Sequence, residues 1–600
     1  MPTEPVDVCI VGAGPAGAVL ASRLVALGRS VCIVEHGRRF SAEERATLLA
    51  NRRRGAEPGN FNHALGPEAQ LPYGSVEVDG FSYFQARVPA VGGSSLHWSA
   101  HCPRPLPSEL AGFPFDYASL EPWLGRAEVE LGVAGSPDDP EAPARSTPFP
   151  MPAHPRSYFE RELLEPACKK LGWPLVSNAV AIASEPYAGR AACQACRLCE
   201  LCPSGARYFA DQTHLARVLD SPRAELRVET HVRRIESARD RPRELLVVDR
   251  RTGKESRLRA KTFVIAAGGV ESARLLLLSR GLAASRLVGQ GFADNLLVAG
   301  QLLLQRDVGL ALGFTTTSIH HHRHHPKFGS IKLQAYPRLV DRNTLVRFLA
   351  RDGALSPEAF GRAVRHAVTL IALTEKERVG RLELDPENKD AHGDPQARIV
   401  VPLSKRDRMT LDTAAGVIDE LGRALGGELL SNGWREGQLI WGAHPFGAAV
   451  MASTPKDGVC DANGRVFGTD DVFVLSSALF PGLGSANPTL TLVALALRMA
   501  EHLHKQAGAP APAGLSRRRN RRLRSPRRLP EEARDRRLRP RRKSPSSGSS
   551  TRSVRGRSTR RPAEKSPRAS SGGSRRRHRA GSTSTTSRRA ASRTAERPVA

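Results

Sequence analysis

Residues 6–17 read VDVCIVGAGPAG, and this stretch decides the fold of the chain. Its first half, Val6–Val11, is an apolar, β-branched run typical of a buried strand. The segment Ala16–Leu27 then has the apolar spacing of a helix, and Ser30–Glu35 (SVCIVE) is a second strand-like run. A strand, a helix and a second strand in this order predict a βαβ unit, and therefore an α/β fold with parallel strands.

Three glycines mark the turn between the first strand and the helix: Gly12, Gly14 and Gly17, in the spacing G-x-G-x-x-G. The first permits a tight turn, the second lets the backbone approach a pyrophosphate, and the third lets helix and strand pack closely. Glu35 ends the second strand, where a carboxylate receives ribose hydroxyls. The pattern predicts a dinucleotide site without distinguishing FAD from NAD; the alternative is a glycine turn that only packs.

The composition describes a globular protein of more than one domain. The chain has 600 residues, of which 40% are hydrophobic, 25% charged and 5% aromatic. Because one hydrophobic core stops growing at about 250–300 residues, this length predicts at least two domains. No apolar run approaches the roughly 18 residues of a membrane-spanning helix, and no signal peptide precedes the first strand. We therefore expect a cytoplasmic protein without a transmembrane segment.

The net charge of +30 is concentrated at the C-terminal end. Residues 507–600 carry 30 Lys or Arg, only 5 Asp or Glu, and no Phe, Trp or Tyr. Such a segment cannot bury enough apolar surface to fold, so we predict a disordered Arg/Ser/Pro-rich tail. It is an inert extension, a shifted reading frame of GC-rich DNA, or an arm that contacts phosphates of nucleic acid or anionic lipid. We expect no nucleic-acid partner except through this tail.

The pattern changes twice between the two ends. Strand-like runs alternate with charged turns from 226 to 269. Residues 311–435 are more irregular, with helical stretches at Ser356–Leu370 and Met409–Leu425. A last strand at Val472–Leu475 leads through a Gly-rich loop to a helix from Pro488 to about His504.

Further motifs occur at both ends of the body. Residues 91–98 read VGGSSLHW, residues 116–132 read DYASLEPWLGRAEVELG, His444-Pro445-Phe446-Gly447 follows, and then come DANGRVFG at 461–468 and FVLSSALFPGLGSANPTLTLVALALRMAEHL at 473–503. Separate motifs in this order resemble the glucose-methanol-choline (GMC) oxidoreductases, most of all the subgroup with fructose, sorbitol and gluconate dehydrogenases. The resemblance covers roughly residues 6–506 and is vague at about 300–435, apart from DPENKDAHGDP at 385–395.

The resemblance implies a Rossmann-like FAD-binding domain with an inserted α+β substrate-binding domain. The expected divisions are 1–310 for the first part of the FAD domain, 311–435 for the substrate domain, 436–506 for the rest of the core, and 507–600 for the tail. The implied activity is FAD-dependent oxidation of an alcohol group, in a sugar or polyol. It proceeds by proton abstraction and hydride transfer to flavin N5.

Two residues are candidates for that chemistry. Alcohol oxidation needs a base for the hydroxyl proton, and the ordinary pKa of histidine, about 6.5, suits this role. His444 follows the strand-like run QLIWGA, and the resemblance implies that it is the base. The resemblance places Asn487 as the second active-site residue, which orients the oxygen. The alternatives are a loop histidine fixed by Pro445 and an asparagine that only caps the last helix ahead of Pro488.

Cofactor contacts are also expected from the second glycine-rich loop: Gly92, Gly93, Ser94, Ser95 and His97. The resemblance places its hydroxyls and amides near the isoalloxazine. His97 aligns with a histidine that in part of the family is bonded covalently to the flavin; the alternative is a structural histidine beside it. One departure concerns GQGFADN, in which Asn295 stands where the family often has His. Another is Ala452 after Met451, where Gly is usual, and both leave the pocket shape open.

Four of the nine cysteines form one run: Cys193, Cys196, Cys199 and Cys202, each three residues from the next, with Pro203 after the last. This spacing resembles a ferredoxin run and predicts an iron–sulfur cluster that relays single electrons. Zinc and an unmetallated group of thiols are the alternatives. The resemblance implies that three of the four bind a three-iron cluster, without saying which three.

An electron relay favours a quinone, a cytochrome or another one-electron carrier as acceptor of the electrons from the small-molecule alcohol. An oxidase that uses oxygen directly is the rival of the same class. A nucleic-acid-associated protein acting through the tail is the rival of a different class. A reductase that uses NAD is disfavoured, because the sequence holds no second G-x-G-x-x-G.

Overall fold

The opening strand, helix and strand form as their residues predict. β1 (Val6–Val11) runs into the glycine turn, α1 (Pro15–Ala26) follows, and β2 (Val31–Val34) lies parallel to β1. Pro15 starts α1, where its missing N–H leaves no hydrogen bond unmade. Cys9 and Cys32 lie opposite each other in the register and are buried, as core residues are.

The computed structural model describes residues 5–53, 71–72, 74–78, 86–199, 201–238, 241–309, 314–321, 325, 327–339, 341–351 and 353–508. The other strands in chain order are β3 (Leu71–Pro72), β4 (Gly74–Val78), β5 (Ala86–Arg87), β6 (Ala134–Gly135), β7 (Met151–Pro152), β8 (Leu175–Ser177), β9 (Ala224–Arg227), β10 (Thr230–Ala238), β11 (Arg241–Asp249), β12 (Glu255–Ile265), β13 (Gln290–Phe292), β14 (Leu296–Leu303), β15 (Thr317–His321), β16 (Ile331–Pro337), β17 (Ala367–Thr374), β18 (Gly380–Lys389), β19 (Pro395–Val401), β20 (Glu428–Asn432), β21 (Ile440–Trp441) and β22 (Val472–Val474). The other helices are α2 (Ala42–Arg53), α3 (Tyr117–Leu131), α4 (Glu165–Leu171), α5 (His214–Leu219), α6 (Gly268–Leu278), α7 (Arg342–Arg351), α8 (Pro357–His366), α9 (Lys405–Ala424) and α10 (Thr489–Gln506).

The first large sheet contains the opening unit. Its parallel part has the order β9-β2-β1-β12-β22, so the last strand of the body joins the same sheet as the first. β12 changes partners along its length. Its first half pairs antiparallel with β11, and its second half lies between β1 and β22 and runs parallel to both. β1, β2 and β22 are largely buried and apolar, as expected for strands covered on both faces, whereas the edge strand β9 is polar and partly exposed.

A second large sheet has the order β20-β14-β17-β16-β15-β8, with β21 beside β14. α9 packs on one face of it, since a side chain at Gly300 of β14 would meet Ile418 of α9 at 2.4 Å. A smaller sheet of order β13-β18-β19-β4 contains much of the 385–395 motif. The second sheet extends beyond the expected 311–435 division, because β8, β14 and β21 lie outside it.

Two predicted helices change their bounds. The stretch Ser356–Leu370 is helical only as far as His366, because Ala367–Thr374 continues as the buried strand β17. Its predicted start holds, since the Ser356 side chain accepts a hydrogen bond from the N–H of Ala359. The predicted helix from Met409 begins earlier, at Lys405, because Ser404 and Asp407 form a capping box.

The α/β prediction is confirmed, and every described residue belongs to one compact unit. None of the described helices is long and apolar enough to cross a membrane. The predicted tail at 507–600 lies outside the described residues except for Ala507 and Gly508.

Candidate active site

The glycine turn is closely packed at two of its three glycines and open at the third. Gly12 has a φ of +109°, and a Cβ there would lie 2.5 Å from the carbonyl oxygen of Ala266. At Gly17 a Cβ would lie 2.1 Å from the carbonyl oxygen of Gly12, so this glycine allows α1 to pack on the turn. At Gly14, by contrast, a Cβ would meet nothing within 4 Å. Gly14 therefore faces open space at the start of α1, where no side chain caps the helix.

The second glycine-rich loop lies directly against this turn. The N–H of Gly92 donates to the carbonyl oxygen of Ala13 at 2.9 Å, and a Cβ at Gly93 would lie 3.0 Å from the Cα of Gly14. Ser94 is exposed beside it. Ser95 is fully buried instead: its hydroxyl donates to the carbonyl oxygen of Gly92 and accepts from the N–H of Ala210. The Ser95 hydroxyl is therefore engaged within the loop and braces it, whereas Ser94 stays a predicted cofactor contact.

Glu35 lies at the end of β2, within reach of the same turn. Its Oε2 accepts from the N–H of Ala13 at 2.9 Å, and its Oε1 accepts from the N–H of Gly37 at 2.8 Å. Burial raises the pKa of Glu35 to about 7, and these two N–H groups oppose the rise. The carboxyl group is therefore held against the turn between β1 and α1.

His97 follows the loop and has an unused nitrogen. Its Nε2 is buried and has no hydrogen-bond partner within the part of the chain that the structure describes. Burial lowers the pKa of His97 to about 4, and the nearby Arg207 guanidinium adds to this effect. A buried polar atom without a partner carries a cost of about 1–3 kcal/mol. The nitrogen is therefore suited to a bound group, which fits the cofactor contact expected for His97.

The main chain around His444 is held by the segment that the sequence marked as a departure. The N–H of Gly442 donates to the carbonyl oxygen of Asn295 at 2.7 Å, and the N–H of His444 donates to Oδ1 of Asp294 at 2.8 Å. Ala443 has a φ of +57°, a conformation that costs a non-glycine residue about 1–3 kcal/mol and is common at functional sites. His444 is thus fixed on both sides.

The His444 side chain joins the two halves of the candidate site. Its Nδ1 lies 3.1 Å from Oδ1 of Asn295, and its Nε2 lies 3.1 Å from Nδ2 of Asn487. Oδ1 of Asn487 in turn accepts from Nζ of Lys332 at 2.5 Å. The structure therefore brings together the two predicted catalytic residues, together with two residues that sequence reasoning did not assign to the site, Asn295 and Lys332.

The electrostatics of this group favour a neutral imidazole. Burial and, to a smaller extent, the positive charge of Lys332 together lower the pKa of His444 to about 3. His101, which is also buried, has its pKa lowered to about 3 by burial and then by Lys332 and His444. At neutral pH His444 is therefore unprotonated, which is the form that can accept a proton, but a pKa of about 3 makes it a weak base.

Asn487 has a different structural role from the one expected for a cap. α10 begins at Thr489, with Pro488 as the residue before it, so the helix starts one residue later than Pro488 predicts. The Asn487 side chain contacts His444 and Lys332. Asn487 therefore stands just ahead of the helix, at the end of α10 that carries the positive dipole.

A polar sheet face continues from Lys332 along β16. The apolar residues of this strand, Ile331, Leu333 and Ala335, lie in the core shared with α9. Side chains alternate along a strand, so Lys332, Gln334 and Tyr336 face the other way. The amide of Gln334 donates to Thr315 and lies 3.3 Å from Nε2 of His101, and the Tyr336 hydroxyl donates to Gln334. Hydrogen-bonding groups thus extend outward from the His444–Asn487 pair.

The four cysteines of the run differ in burial, because three are half-buried and one is exposed. Cys193, Cys199 and Cys202 are half-buried and pack against the core, whereas Cys196 is exposed. No disulfide joins any of the nine cysteines, all of which lie within the described ranges. Sγ of Cys193 accepts from the N–H of Ala195 at 3.4 Å, and Sγ of Cys202 accepts from the N–H of Arg207 at 3.3 Å.

Within the described ranges, only one set of three or more candidate ligand groups lies within 4.8 Å: His231, Asp390 and Asp394. Thiolates on one zinc ion, at about 2.3 Å from it, must come closer than this. The thiol arrangement therefore does not fit a single zinc ion. The histidine–aspartate set does not offer free carboxylates, because Arg274 pairs with Asp390 at 2.7 Å and Arg233 pairs with Asp394 at 2.7 Å.

Comparison with known proteins decides the family. The GMC oxidoreductase N-terminal model matches residues 7–297, and the C-terminal model matches residues 376–496. The chain belongs to the GMC oxidoreductase family. Enzymes of this family bind FAD. The family match confirms two predictions from the sequence, namely the family itself and an oxidoreductase activity.

Curated relatives of this GMC oxidoreductase cover most of its length. It is 29% identical to the fructose dehydrogenase large subunit of Gluconobacter japonicus, over 82% of this chain and 97% of the relative. It is 30% identical to 6'''-hydroxyparomomycin C oxidase of Streptomyces lividus, over 83% and 92%. It is 26% identical to 2-methyl-1,2-propanediol dehydrogenase of Mycolicibacterium austroafricanum, over 83% and 95%.

A solved structure shares the fold. The crystal structure of pyridoxine 4-oxidase from Mesorbium loti matches with a TM-score of 0.61 and 21% identity, over 83% of this chain and 99% of that chain. At this identity the match concerns the fold alone.

Two site residues had weaker signals in the sequence. Asn295 stands out only as a departure from the family pattern in GQGFADN. Lys332 lies in the alternating run IKLQAYP, where polar residues at every second position indicate a strand with one polar face. That alternation identifies the face, but not what the face meets.

Proposed function

We propose that this GMC oxidoreductase uses FAD to oxidise an alcohol group of a sugar or polyol. The observation that carries the proposal is the pairing of His444 Nε2 with Asn487 Nδ2 at 3.1 Å, beside the polar face of β16. Relatives named as acting on fructose and on 2-methyl-1,2-propanediol support this substrate class. Gln334 and Tyr336 offer the hydrogen-bonding groups that several hydroxyls need.

In the proposed reaction His444 takes the hydroxyl proton at Nε2. Asn487 donates a hydrogen bond from Nδ2 to the same oxygen, which holds it as negative charge develops. The positive end of α10 lies next to Asn487 and favours that charge. Proton transfer of this kind contributes about 10²–10⁴-fold to the rate.

The residues of the two glycine loops fit FAD. Gly14 leaves open space for a pyrophosphate, Glu35 is placed for the ribose, and His97 has a buried nitrogen without a partner in the described chain. When bound, FAD supplies the acceptor for the hydride at its N5. Whether His97 bonds covalently to the flavin is open to a direct test, because a covalent flavin stays with the denatured polypeptide.

For the electron acceptor we propose a quinone, a cytochrome or another one-electron carrier. The alternative is an oxidase that passes its electrons directly to oxygen, and one relative is named as an oxidase. Hydrogen peroxide released in air during turnover separates the two. If the protein were an NAD-dependent reductase, turnover would require added NAD, which is measured by running the same reaction with and without NAD.

The test of the alcohol-oxidising function is a visible spectrum under anaerobic conditions. Purified protein should show flavin bands that bleach when a substrate sugar or polyol is added. His444→Ala should keep its FAD and lose about 10²–10⁴-fold in the rate of bleaching. His502→Ala, a half-buried histidine on α10, serves as the control and should bleach at the wild-type rate. Bleaching of His444→Ala at the wild-type rate would rule out His444 as the base.

We also propose an iron–sulfur cluster on Cys193, Cys199 and Cys202. Cys193, Cys199 and Cys202 are half-buried and pack against the core, whereas Cys196 is exposed, so these three are the proposed ligands. Burial raises the pKa of the Cys193 thiol, and the N–H of Ala195 opposes this rise. Such a cluster would supply one-electron chemistry.

The cysteine proposal is tested by metal analysis of protein purified without oxygen. Cys199→Ser should lose iron and acid-labile sulfide, because each thiolate is needed to hold the cluster. Cys196→Ser is the matched control and should keep both. Wild-type protein without iron, or equal loss from the two variants, would contradict the assignment.

A further inference from the structure

We infer that Asn295 and Lys332 are positioning residues that fix the direction of each hydrogen bond around the catalytic pair His444–Asn487. The inference rests on the proposed function, because it assigns roles within the same site. Both residues are buried, Asn295 completely and Lys332 to 2% exposure. Each lies at one end of the chain of contacts that runs through His444 and Asn487.

The first end of this chain is Asn295. Its Nδ2 lies 2.8 Å from the carbonyl oxygen of Thr374 and 2.9 Å from the carbonyl oxygen of Gly484. An amide nitrogen has two hydrogens, and carbonyl oxygens only accept, so both hydrogens are used. The atom that faces His444 is therefore Oδ1, which also only accepts.

This arrangement determines where His444 carries its hydrogen. Nδ1 lies 3.1 Å from Oδ1 of Asn295 and must donate to it. A neutral imidazole has one N–H, and burial together with Lys332 keeps His444 neutral by lowering its pKa. Nε2 is therefore the unprotonated nitrogen. It is the atom that faces Asn487, where a substrate hydroxyl would be deprotonated.

The second end is Lys332. An ammonium group has only donors, so Oδ1 of Asn487 must be the atom that faces Nζ at 2.5 Å. The other end of that amide, Nδ2, is then directed at Nε2 of His444. If Lys332 were replaced by an apolar residue, the Asn487 amide could turn over and present its oxygen to the base.

The four side chains thus form one chain in which every member donates in the same direction. Lys332 donates to Asn487, Asn487 to His444, His444 to Asn295, and Asn295 to two main-chain carbonyls. Hydrogen bonds aligned in this way strengthen one another. The charged and titratable groups around His444 are Lys332, His101 and Asp294, which accepts from the His444 N–H.

The first test reads the hydrogen position directly. Holoenzyme is labelled with ¹⁵N in histidine, and the His444 signals are assigned by their loss in His444→Gln. At neutral pH we expect a protonated Nδ1 and an unprotonated Nε2. Asn295→Leu should shift the signals toward a mixture of the two tautomers. A wild-type His444 with its hydrogen on Nε2 would overturn the inference.

The second test is kinetic. Asn295→Leu and Lys332→Met should retain FAD and bind substrate with near wild-type half-saturation. Their limiting rate of anaerobic flavin reduction should fall about 10–100-fold, as expected when reacting groups lose their alignment. Lys332→Arg should recover part of the rate, because it keeps a donor-only cation. Thr369→Val is the control, since it removes one side-chain hydrogen bond to Leu339 from the same sheet, and should reduce flavin normally.

A smaller side chain covers the case in which Asn295→Leu does not fold. The hydroxyl of Asn295→Ser can both donate and accept, so it no longer obliges Nδ1 of His444 to carry the hydrogen. The His444 signals should again shift toward a mixture of tautomers, and the limiting rate of flavin reduction should fall. Wild-type rates and a wild-type tautomer in all these variants would reduce both residues to packing roles. If no alcohol bleaches the wild-type flavin while the tautomer is as expected, the proposed function fails and the assignment of the hydrogen positions stands.

Discussion

At the scale of single residues, two glycines of one motif have opposite surroundings. Gly14 has an ordinary extended conformation, and a Cβ added there would have no neighbour within 4 Å, whereas Gly17 is closed in by the carbonyl oxygen of Gly12 at 2.1 Å. The motif in the sequence gives both positions the same letter. The structure separates the glycine that a ligand needs from the glycine that the fold needs.

This difference gives a testable contrast. Gly14→Val should fold with nearly unchanged thermal stability of the apoprotein, because its Cβ has no protein atom within 4 Å, yet it should purify without FAD. Gly17→Val should lower the unfolding temperature, since its Cβ cannot be placed without moving α1 from the turn. Unfolding temperature and bound flavin per chain measure the two effects. Full FAD content in Gly14→Val would contradict the placement of the pyrophosphate.

At the residue scale, much of the candidate site could be predicted from the sequence. The glycines, His444 and Asn487 lie in short motifs whose letters and spacing already indicate their chemistry. Asn295 and Lys332 could not be assigned in this way, because their importance depends on which side chains they meet across sheets. Ser95 shows the reverse case, since a hydroxyl in the right motif is used to brace the loop.

At the scale of elements, α9 and the sheet beneath it are in very close contact. Gly300 of β14 leaves room for Ile418, and a Cβ there would lie 2.4 Å from Cγ2 of that residue. Gly416 lies on the same helix, and a Cβ added to it would meet nothing within 4 Å. The sequence predicts the middle of α9 from its periodicity, but it does not predict which glycine is needed for packing.

We expect these two glycines to respond in opposite directions to alanine. Gly300→Ala should destabilise the protein by about 1–3 kcal/mol through overpacking. Gly416→Ala should stabilise it by about 0.5–1 kcal/mol, because alanine has the higher helix propensity and meets no obstacle. Urea unfolding of both variants beside the wild type provides the measurement. A stabilised Gly300→Ala would mean that α9 can move away from β14.

The pairing of strands also explains why one helix boundary predicted from the sequence was wrong. The segment 356–374 is one continuous run of apolar and helix-compatible residues, and the sequence alone favours a helix to Leu370. Pairing of Ala367–Thr374 with both β14 and β16 makes it a strand instead. Tertiary pairing overrides local preference there, because both neighbours supply main-chain hydrogen bonds along the whole segment.

At the scale of the whole molecule, a group of histidines links distant parts of the chain. His231 of β10 lies 3.1 Å, Nδ1 to Nδ1, from His36, which follows Glu35, and stacks on His392 with ring centroids 4.3 Å apart. Burial lowers the pKa of His231 to about 4 and that of His36 to about 2, and it also lowers the pKa of His392. The group therefore joins the end of the nucleotide-binding strand to the 385–395 motif as neutral rings.

This group predicts a loss of stability in acid. The pKa of His231 is lower in the folded than in the unfolded protein. Its neutral ring therefore contributes fully to the free energy of unfolding above about pH 6.5, and this contribution is lost as the pH falls toward about 4. For His231 alone the loss amounts to at most about 3 kcal/mol. His231→Gln should therefore flatten the fall in unfolding temperature between pH 7 and pH 4.5. Glu35, whose raised pKa acts in the opposite direction, is present in both proteins and cancels in the comparison.

The return of the last strand and helix to the first ones has a consequence for synthesis. Side chains of α1 and α10 meet across the chain, as in the contact of Arg23 Nε with Glu501 Oε1 at 3.0 Å, and β22 joins the sheet that β1 starts. During translation, α1 leaves the ribosome long before residue 501 exists, so its apolar side cannot be covered by its native partner. Contacts between residues this far apart in sequence slow folding and prolong the exposure of apolar surface. The first strands and α1 of this enzyme are therefore without their C-terminal partners until the final helix has been made.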